Sequence, residues 1–518
     1  MTLKRAVLAL LTIFAIARIG LSLNNSLSQP QIQSRLELYQ TNLVLHVAEF
    51  KSNPSDEFDL NSAVSSLVGE DPYSAADKQY QKVRTEIQTS KNNFAAQLEQ
   101  LNSPEDESDL ENKSLANTAQ KRQITQQIAE LGQFIDELDL KRGILAAVQG
   151  EPQAAISIWD TEINRIDNPQ NRYAQTATLL KELWQNRSQE LAAEARSTID
   201  SNLDSWFRYQ ALAKFDRVNN ITDDLALLEQ QEIKTATSAV LKLAFISALP
   251  LFGGLFGTIL LVFVVVQGLL KKDQSIIATN GNVNWSTPWN WEITWQVLIV
   301  GFFFIAQIAL PLLLGVFNIN PVNSSLRVKA FYVLGTYMAM AIGGVSVLYL
   351  SIKSFLPFPK DWFKFKLADN WILWGFGGYL VALPSVLIVS LINQQIWQGQ
   401  GGSNPLLFLA LQSQDKVALI VFFVTSSIAA PIFEEIMFRG FLLPSLTRYV
   451  SVTTAILISA FIFAVAHLSL SEVLPLATLG IVLGVVYTRS RNLLAPMLLH
   501  SLWNSGTLIS LFVLGSGA

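Results

Sequence analysis

Cysteine is absent from this 518-residue chain, and histidine occurs only three times. Without cysteine there can be no disulfide, no thiolate nucleophile and no cysteine-ligated zinc or iron–sulfur site. Charged residues are also scarce: Asp, Glu, Lys and Arg make up 15% of the chain, against about a quarter in ordinary soluble domains. Any catalysis must therefore come from carboxylates, histidines or hydroxyls.

Half of the residues are hydrophobic, and they are unevenly distributed. Residues 1–242 contain 24 basic and 33 acidic residues, whereas residues 243–518 contain 13 and 8. This asymmetry indicates two regions with different surroundings. We therefore predict an all-α protein in which a polytopic membrane helix bundle follows a soluble α-helical N-terminal domain.

Residues 1–23 combine a basic start, Lys4 and Arg5, with a short apolar run. A secretory signal peptide has this pattern, but no convincing small-residue cleavage site follows the run. We interpret the segment as an uncleaved signal anchor that crosses the membrane.

Residues 24–238 form the predicted soluble helical domain. Apolar residues recur at helical spacing there, as at Leu131, Phe134, Ile135 and Leu138. The Gly-Glu-Pro sequence at 150–152 resembles the turn of a helix-turn-helix repeat, and an irregular helical bundle or partial coiled coil is the preferred alternative. His46 belongs to no recognisable motif, and we interpret it as a surface or interface residue.

Residues 239–518 contain eight apolar segments long enough to span a bilayer, which requires about 20 helical residues. With the anchor they make nine spans, an eight-helix core preceded by one helix. Four tryptophans before the second segment (285, 289, 291 and 295) are typical of a membrane interface. The segments are 243–270, 296–318, 330–352, 371–392, 417–446, 452–468, 473–488 and 493–514.

The basic residues of the short loops predict the orientation of these spans. A cytoplasmic N-terminus leaves only Arg327, Lys329 and Lys416 in the short loops of the opposite side, as the positive-inside rule favours. The helical domain would then be periplasmic or lumenal, and we expect a bacterial plasma or internal membrane. The cytoplasmic residues would be Lys4, Arg5, Lys271, Lys272, Lys353, Lys360, Lys364, Lys366, Arg448, Arg489 and Arg491.

Ionisable residues inside the last apolar segments mark a candidate site, because charged groups at bilayer depth are costly and usually functional. Counting 1.5 Å per residue from the cytoplasmic ends, Glu434, His467 and His500 lie roughly 10 to 22 Å deep. Glu435 and Arg439 are four residues apart and share a helix face. We expect Arg439 to neutralise Glu435, leaving Glu434 free to face a cavity.

Three motifs in residues 417–514 resemble those of the CAAX protease and bacteriocin-processing family of intramembrane endopeptidases, also called the Abi family. E-E-x-x-x-R matches Glu434 to Arg439, F-x-x-x-H matches Phe463 to His467, and H-x-x-x-N matches His500 to Asn504.

The resemblance implies a protease in which Glu434 activates water with His467, while His500 and Asn504 stabilise the oxyanion. Glu435 and Arg439 would hold Glu434 in place, and Phe463 would wall the substrate pocket. It implies a membrane-embedded or lipid-anchored protein or peptide as substrate and a lipid bilayer as surroundings, whereas a nucleic-acid partner is not expected.

Three alternatives remain open from the sequence. The family's metalloprotease description would make Glu434, His467 and His500 ligands of zinc or another divalent metal; the preferred mechanism requires no cofactor, since H-E-x-x-H is absent. Intramembrane Glu and His also occur in transporters. A third possibility is a scaffold that holds a protein partner through its helical domain.

Overall fold

A computed structural model of the chain describes residues 2–50, 64, 68–102, 110–166, 168, 170–186, 193–317, 319, 321, 324–411, 413 and 415–515. These residues form helices and connecting turns, with no strand among them. They divide into two compact units: a helical unit, Ser28–Ile246, and a membrane unit, Met1–Leu27 together with Ser247–Phe512.

The helices are numbered in chain order across both units. The first eight are α1 (Leu3–Ser26), α2 (Ile32–Ala48), α3 (Pro72–Asn102), α4 (Leu110–Val148), α5 (Pro152–Arg165), α6 (Arg172–Trp184), α7 (Ala193–Asn202) and α8 (Ser205–Val218). The others are α9 (Thr222–Gln274), α10 (Trp291–Val316), α11 (Leu326–Phe355), α12 (Trp371–Trp397), α13 (Pro405–Leu411), α14 (Lys416–Leu446), α15 (Val452–Val465), α16 (Leu470–Ser490) and α17 (Leu494–Gly515).

The helical unit is built around side chains that recur at helical spacing. Leu131, Phe134, Ile135 and Leu138 of α4 are all buried, as their spacing predicted. The turn after α4 is the predicted one, since Gly150 has φ +85° and a proline opens α5. The predicted domain boundary at residue 238 lies inside α9.

His46, at the end of α2, was expected at the surface or in an interface. Its side chain is 3% exposed, and its ring nitrogens contact Glu232 of α9 and Ser205 of α8, so the surface alternative was wrong and the residue lies between helices. Neither partner was recognised in the sequence because both lie more than 150 positions away. Such contacts leave no local pattern.

The helices of the membrane unit confirm the prediction of a multi-pass membrane protein. Within the described residues, eight helices are long and apolar enough to cross a bilayer: α1, α9, α10, α11, α12, α14, α16 and α17. The predicted span at 452–468 differs, because α15 has only 14 residues. At 1.5 Å per residue this is about 21 Å, short of the roughly 30 Å hydrocarbon core.

The early end of α15 has a visible cause. Leu468 has φ +59°, a left-handed conformation that a continuing helix does not tolerate. The carbonyl of Gly401 accepts hydrogen bonds from the Ser471 backbone N–H and the Ser469 hydroxyl, so the corner between α15 and α16 is held. His467 therefore lies in a turn at a helix end rather than in the middle of a span.

The interfacial tryptophans also differ from expectation. Trp285 and Trp289 are buried in the protein, where Trp289 donates to the Ser445 hydroxyl at 2.9 Å. The Arg491 guanidinium lies 3.4 Å from the centroid of the Trp285 ring. Of the predicted group, Trp291 is the one that is clearly exposed, so packing and not lipid anchoring explains at least half of the cluster.

Candidate active site

The two adjacent glutamates lie on an irregular part of α14. A short α-helical segment, Ala430–Glu435, is flanked by π-helical turns at Thr425–Ala429 and Ile436–Leu442. A π-helical turn accommodates an extra residue, and such turns are frequent at functional sites. The carboxylates of Glu434 and Glu435 therefore lie in a locally widened helix.

Glu435 forms the buried ion pair that its spacing suggested. Arg439 Nη1 donates to Glu435 Oε1 at 2.9 Å, and neither side chain is exposed to solvent. Arg439 Nη2 also donates to the Gly480 carbonyl of α16 at 3.3 Å. Burying two charges is costly unless they neutralise each other and find further hydrogen bonds. This pair is neutral and Arg439 makes one such bond, while Glu435 Oε2 and Arg439 Nε are buried without a hydrogen-bond partner.

His500, on α17, lies between the two carboxylates. Its Nδ1 is 2.8 Å from Glu435 Oε1, and its Nε2 is 3.9 Å from Glu434 Oε2. Because the carboxylate of Glu435 only accepts, Nδ1 carries the proton of this hydrogen bond. Glu435 thereby fixes the ring orientation of His500, and Nε2 faces Glu434.

His467 is oriented by the backbone of its own helix. Its Nδ1 is 2.8 Å from the Phe463 carbonyl oxygen, an acceptor, so Nδ1 is the protonated nitrogen. In the neutral ring this leaves Nε2 with a free lone pair, the form required of a base or a ligand. His467 also lines the cavity that contains Glu434.

Phe463 does not have the role that the sequence suggested. Its side chain is fully buried, so it holds neighbouring groups instead of presenting a wall to substrate. Its ring centroid is 4.9 Å from that of His467 and 5.7 Å from that of His500, and Arg439 lies 4.3 Å from it. The Phe463 ring thus contacts the Arg439 cation and both imidazoles.

Tyr337 is a site residue that the sequence analysis missed. This side chain of α11 donates from Oη to Glu434 Oε1 at 3.0 Å. It lies 97 positions before Glu434, in an apolar helix with no motif around it. Spacing rules connect residues of one helix, so no signal in the sequence alone could have identified Tyr337.

A cavity of about 510 Å³ brings together the groups of three helices. Glu434, His467, His500 and Asn504 all line it, and Asn504 Nδ2 donates to the Ser426 carbonyl at 2.8 Å. Most of its other lining is apolar, including leucines of α13 and α16. A second cavity of about 150 Å³ also contains Glu434, His467 and Tyr337.

The predicted metal ligands are Glu434, His467 and His500. Their chemistry suits zinc. Each imidazole uses Nδ1 for a hydrogen bond, which leaves Nε2 as the nitrogen that could bind a metal. Across the residues that the structure describes, however, no three histidine or carboxylate side chains are close enough together to hold a metal ion. The arrangement as it stands therefore does not fit a three-ligand metal site.

Comparison with known proteins gives a family match for the motif-bearing segment. Residues 416–506 match the family model described as type II CAAX prenyl endopeptidase Rce1-like. No solved structure matches the chain.

Two curated proteins are similar over longer stretches. YdiL of Bacillus subtilis (strain 168) is 30% identical over 27% of this chain and 55% of its own length. Its name describes it as a membrane peptidase. The membrane-embedded CAAX protease MroQ of Staphylococcus aureus (strain USA300) is 24% identical over 42% of this chain and 88% of its own. The chain thus spans about half of YdiL. The resemblance that the three motifs indicated is confirmed: residues 416–506 are similar to the Rce1-like CAAX prenyl endopeptidases.

Proposed function

We propose that this chain is an intramembrane endopeptidase that hydrolyses peptide bonds of a membrane-embedded or lipid-anchored protein or peptide. One observation carries the proposal: the Glu434 carboxylate lines a largely apolar cavity together with two histidines whose Nδ1 atoms are already bonded elsewhere. Each histidine is thereby held in one orientation, with Nε2 available for chemistry.

Glu434 is the proposed general base. A water molecule between Glu434 and His467 would lose its proton to the carboxylate as its oxygen attacks the peptide carbonyl carbon. His467 Nε2, kept as an acceptor by the bond from Nδ1 to Phe463, would orient that water. The proton held by Glu434 then passes to the leaving amine nitrogen as the C–N bond breaks.

His500 and Asn504 are the proposed oxyanion donors. A protonated His500 donates through Nδ1 to Glu435 and offers Nε2–H to the developing negative charge. Asn504 uses one amide hydrogen for the Ser426 carbonyl and retains a second for the oxyanion. In this form Glu434, Glu435, Arg439 and His500 carry two negative and two positive charges, so the buried cluster is neutral.

We propose a mechanism that uses no metal. Tyr337 binds one oxygen of Glu434, and the other oxygen is 3.9 Å from His500, an arrangement suited to a hydrogen-bonded base. The zinc-dependent alternative would require the side chains to move closer together, because the described residues include no three-ligand group.

We further propose that the N-terminus and the loop residues Lys271 and Arg448 face the cytoplasm. The excess of basic residues on that side of the predicted spans supports this orientation. Residues 28–246 would then be on the periplasmic or lumenal side.

Replacing Glu434 by Gln should abolish proteolysis while preserving shape. General-base catalysis contributes about 10²- to 10⁴-fold, and the amide cannot take a proton. Mass spectrometry of membrane-protein fragments would compare cells carrying the natural chain, Glu434→Gln and the control Glu292→Gln, whose carboxylate binds Lys4 and Arg5. Fragments that persist unchanged with Glu434→Gln would contradict the proposal.

Tyr337→Phe should lower kcat without abolishing cleavage. A hydrogen bond to a charged group contributes roughly 1.5–3 kcal/mol, so we expect a fall of about tenfold or more. Rates would be measured on a peptide spanning a bond identified in the fragment comparison. Tyr349→Phe, an exposed tyrosine of the same helix, is the matched control. Equal rates for the two variants would show that Tyr337 does not position Glu434.

Chelation should leave the activity intact. Purified protein would be treated with EDTA and 1,10-phenanthroline, and its metal content measured by mass spectrometry. We expect cleavage without stoichiometric metal. Loss of cleavage that added zinc restores would establish the zinc-dependent alternative instead.

Absence of cysteine makes the orientation directly testable. A single cysteine at Lys271 or at Arg448 should resist a membrane-impermeant maleimide in intact cells, whereas one at Glu151, an exposed residue of the helical unit, should react. We expect the opposite pattern in inverted vesicles. Labelling of position 271 in intact cells would reverse the proposed topology.

A further inference from the structure

The helical unit contains a cavity of about 430 Å³ that plays no part in the proposed proteolysis. His46 of α2, Ser205 of α8 and Glu232 of α9 meet in its lining. His46 and Glu232 are 3% and 5% exposed, whereas Ser205 is half-buried and accessible from the cavity. A buried acid and imidazole thus stand behind an accessible hydroxyl.

Hydrogen bonds connect these three side chains in a line. His46 Nδ1 is 2.5 Å from Glu232 Oε1, and His46 Nε2 is 2.9 Å from Ser205 Oγ. Glu232 as a carboxylate only accepts, so it holds the proton on Nδ1 and leaves Nε2 to accept from the serine hydroxyl. This is the order of contacts by which serine hydrolases activate their nucleophile, which is recognised by geometry and not by sequence position.

The backbone at Ser205 adds a second, independent observation. Ser205 has φ +53°, in the left-handed region that residues other than glycine avoid. The next two residues, Trp206 and Phe207, are fully buried and fix the start of α8. A strained backbone persists only where its surroundings enforce it, and such positions cluster at functional sites.

The start of α8 also offers donors for an oxyanion. Trp206 and Phe207 lie in its first turn, where backbone N–H groups have no carbonyl of their own helix to bind. Arg208 is the first residue of α8 whose N–H donates into the helix, to the Asp204 carbonyl at 3.1 Å. Negative charge beside Ser205 would meet the positive end of the helix dipole.

We infer that Ser205, His46 and Glu232 form a second catalytic site, a serine esterase site, in the helical unit. Ser205 Oγ attacks the ester carbonyl carbon, and His46 Nε2 takes the hydroxyl proton. As the ester C–O bond breaks, His46 returns that proton to the leaving alcohol. Water then attacks the acyl-serine and gives its proton to His46. His46 passes this proton to Oγ as the C–Oγ bond breaks, which releases a carboxylic acid and restores the Ser205 hydroxyl.

The charges around the cavity indicate the class of ester. Arg208, Lys234 and Lys242 line it, and the carboxylate of Glu232 is already occupied by His46. Arg208 and Lys234 beside one paired acid favour a ligand with a negative group. The substrate is therefore an anionic carboxylic ester.

A fluorophosphonate probe tests the nucleophile directly. The full-length protein carrying Glu434→Gln would be labelled, so that the membrane unit cannot contribute, and digested to locate the adduct. We expect the adduct on Ser205 and its loss in Ser205→Gly, a change that the left-handed backbone favours. Ser238→Ala, which removes another hydroxyl of the same cavity, should label normally.

Hydrolysis of model esters tests the remaining roles. With mono-p-nitrophenyl succinate we expect His46→Gln to reduce kcat by at least about 10²-fold. Glu232→Gln should reduce kcat with little change in KM, with kcat expressed per Ser205 that the fluorophosphonate probe can label, so that an unfolded fraction does not lower the value. The neutral p-nitrophenyl butyrate should have a lower kcat/KM than the succinate ester. Lys234→Ala should reduce this difference in kcat/KM between the two esters. Circular dichroism would verify the fold of each variant.

The result that overturns the inference is equally definite. A correctly folded protein that carries no adduct on Ser205, or that hydrolyses the succinate ester equally well as Ser205→Gly, has no serine esterase site there. Because every measurement uses the Glu434→Gln background, neither result bears on the proposed proteolysis.

Discussion

The buried ion pair between Glu435 and Arg439 is the interaction on which the membrane unit's site depends. Both side chains are fully buried, and removing one partner of such a pair typically costs about 3–5 kcal/mol because the other charge is left unpaired. Arg439 also reaches the Gly480 carbonyl and the Phe463 ring, while Glu435 holds His500. One pair of charges thus connects helices α14, α15, α16 and α17.

That pair also explains how two adjacent glutamates acquire different tasks. Glu435 is fully buried and binds a cation and an imidazole through Oε1, so it is not exposed to a substrate. Glu434, one residue earlier, points into the cavity and is held by the Tyr337 hydroxyl and by proximity to His500. The π-helical turns on both sides widen α14 at this point. Two adjacent residues of one helix thus place one carboxylate in a buried ion pair and the other in the lining of the cavity.

The sequence could predict whatever depends on one helix at a time. Four-residue spacing identified the Glu435–Arg439 contact, and apolar runs identified the long helices, because both follow from a regular helical repeat. Contacts between helices could not be predicted in this way: Tyr337 lies 97 residues from Glu434. The short α15 was also missed, since its end depends on a left-handed Leu468 and not on composition.

His46 and His500 show the same limit of prediction from sequence, since one was identified as a site residue and the other was not. Each imidazole has Nδ1 bound to a buried carboxylate, Glu232 or Glu435, and so presents a defined Nε2. His500 was identified because it lies in an apolar segment and begins a recognisable motif with Asn504, whereas His46 belongs to no motif and its partner is 186 residues away in an ordinary helix. A carboxylate behind an imidazole fixes the tautomer wherever it comes from in the chain. Whether a histidine can act as a base therefore depends on which group binds its Nδ1. Applied to the three histidines of this chain, that test indicates a candidate site in each unit.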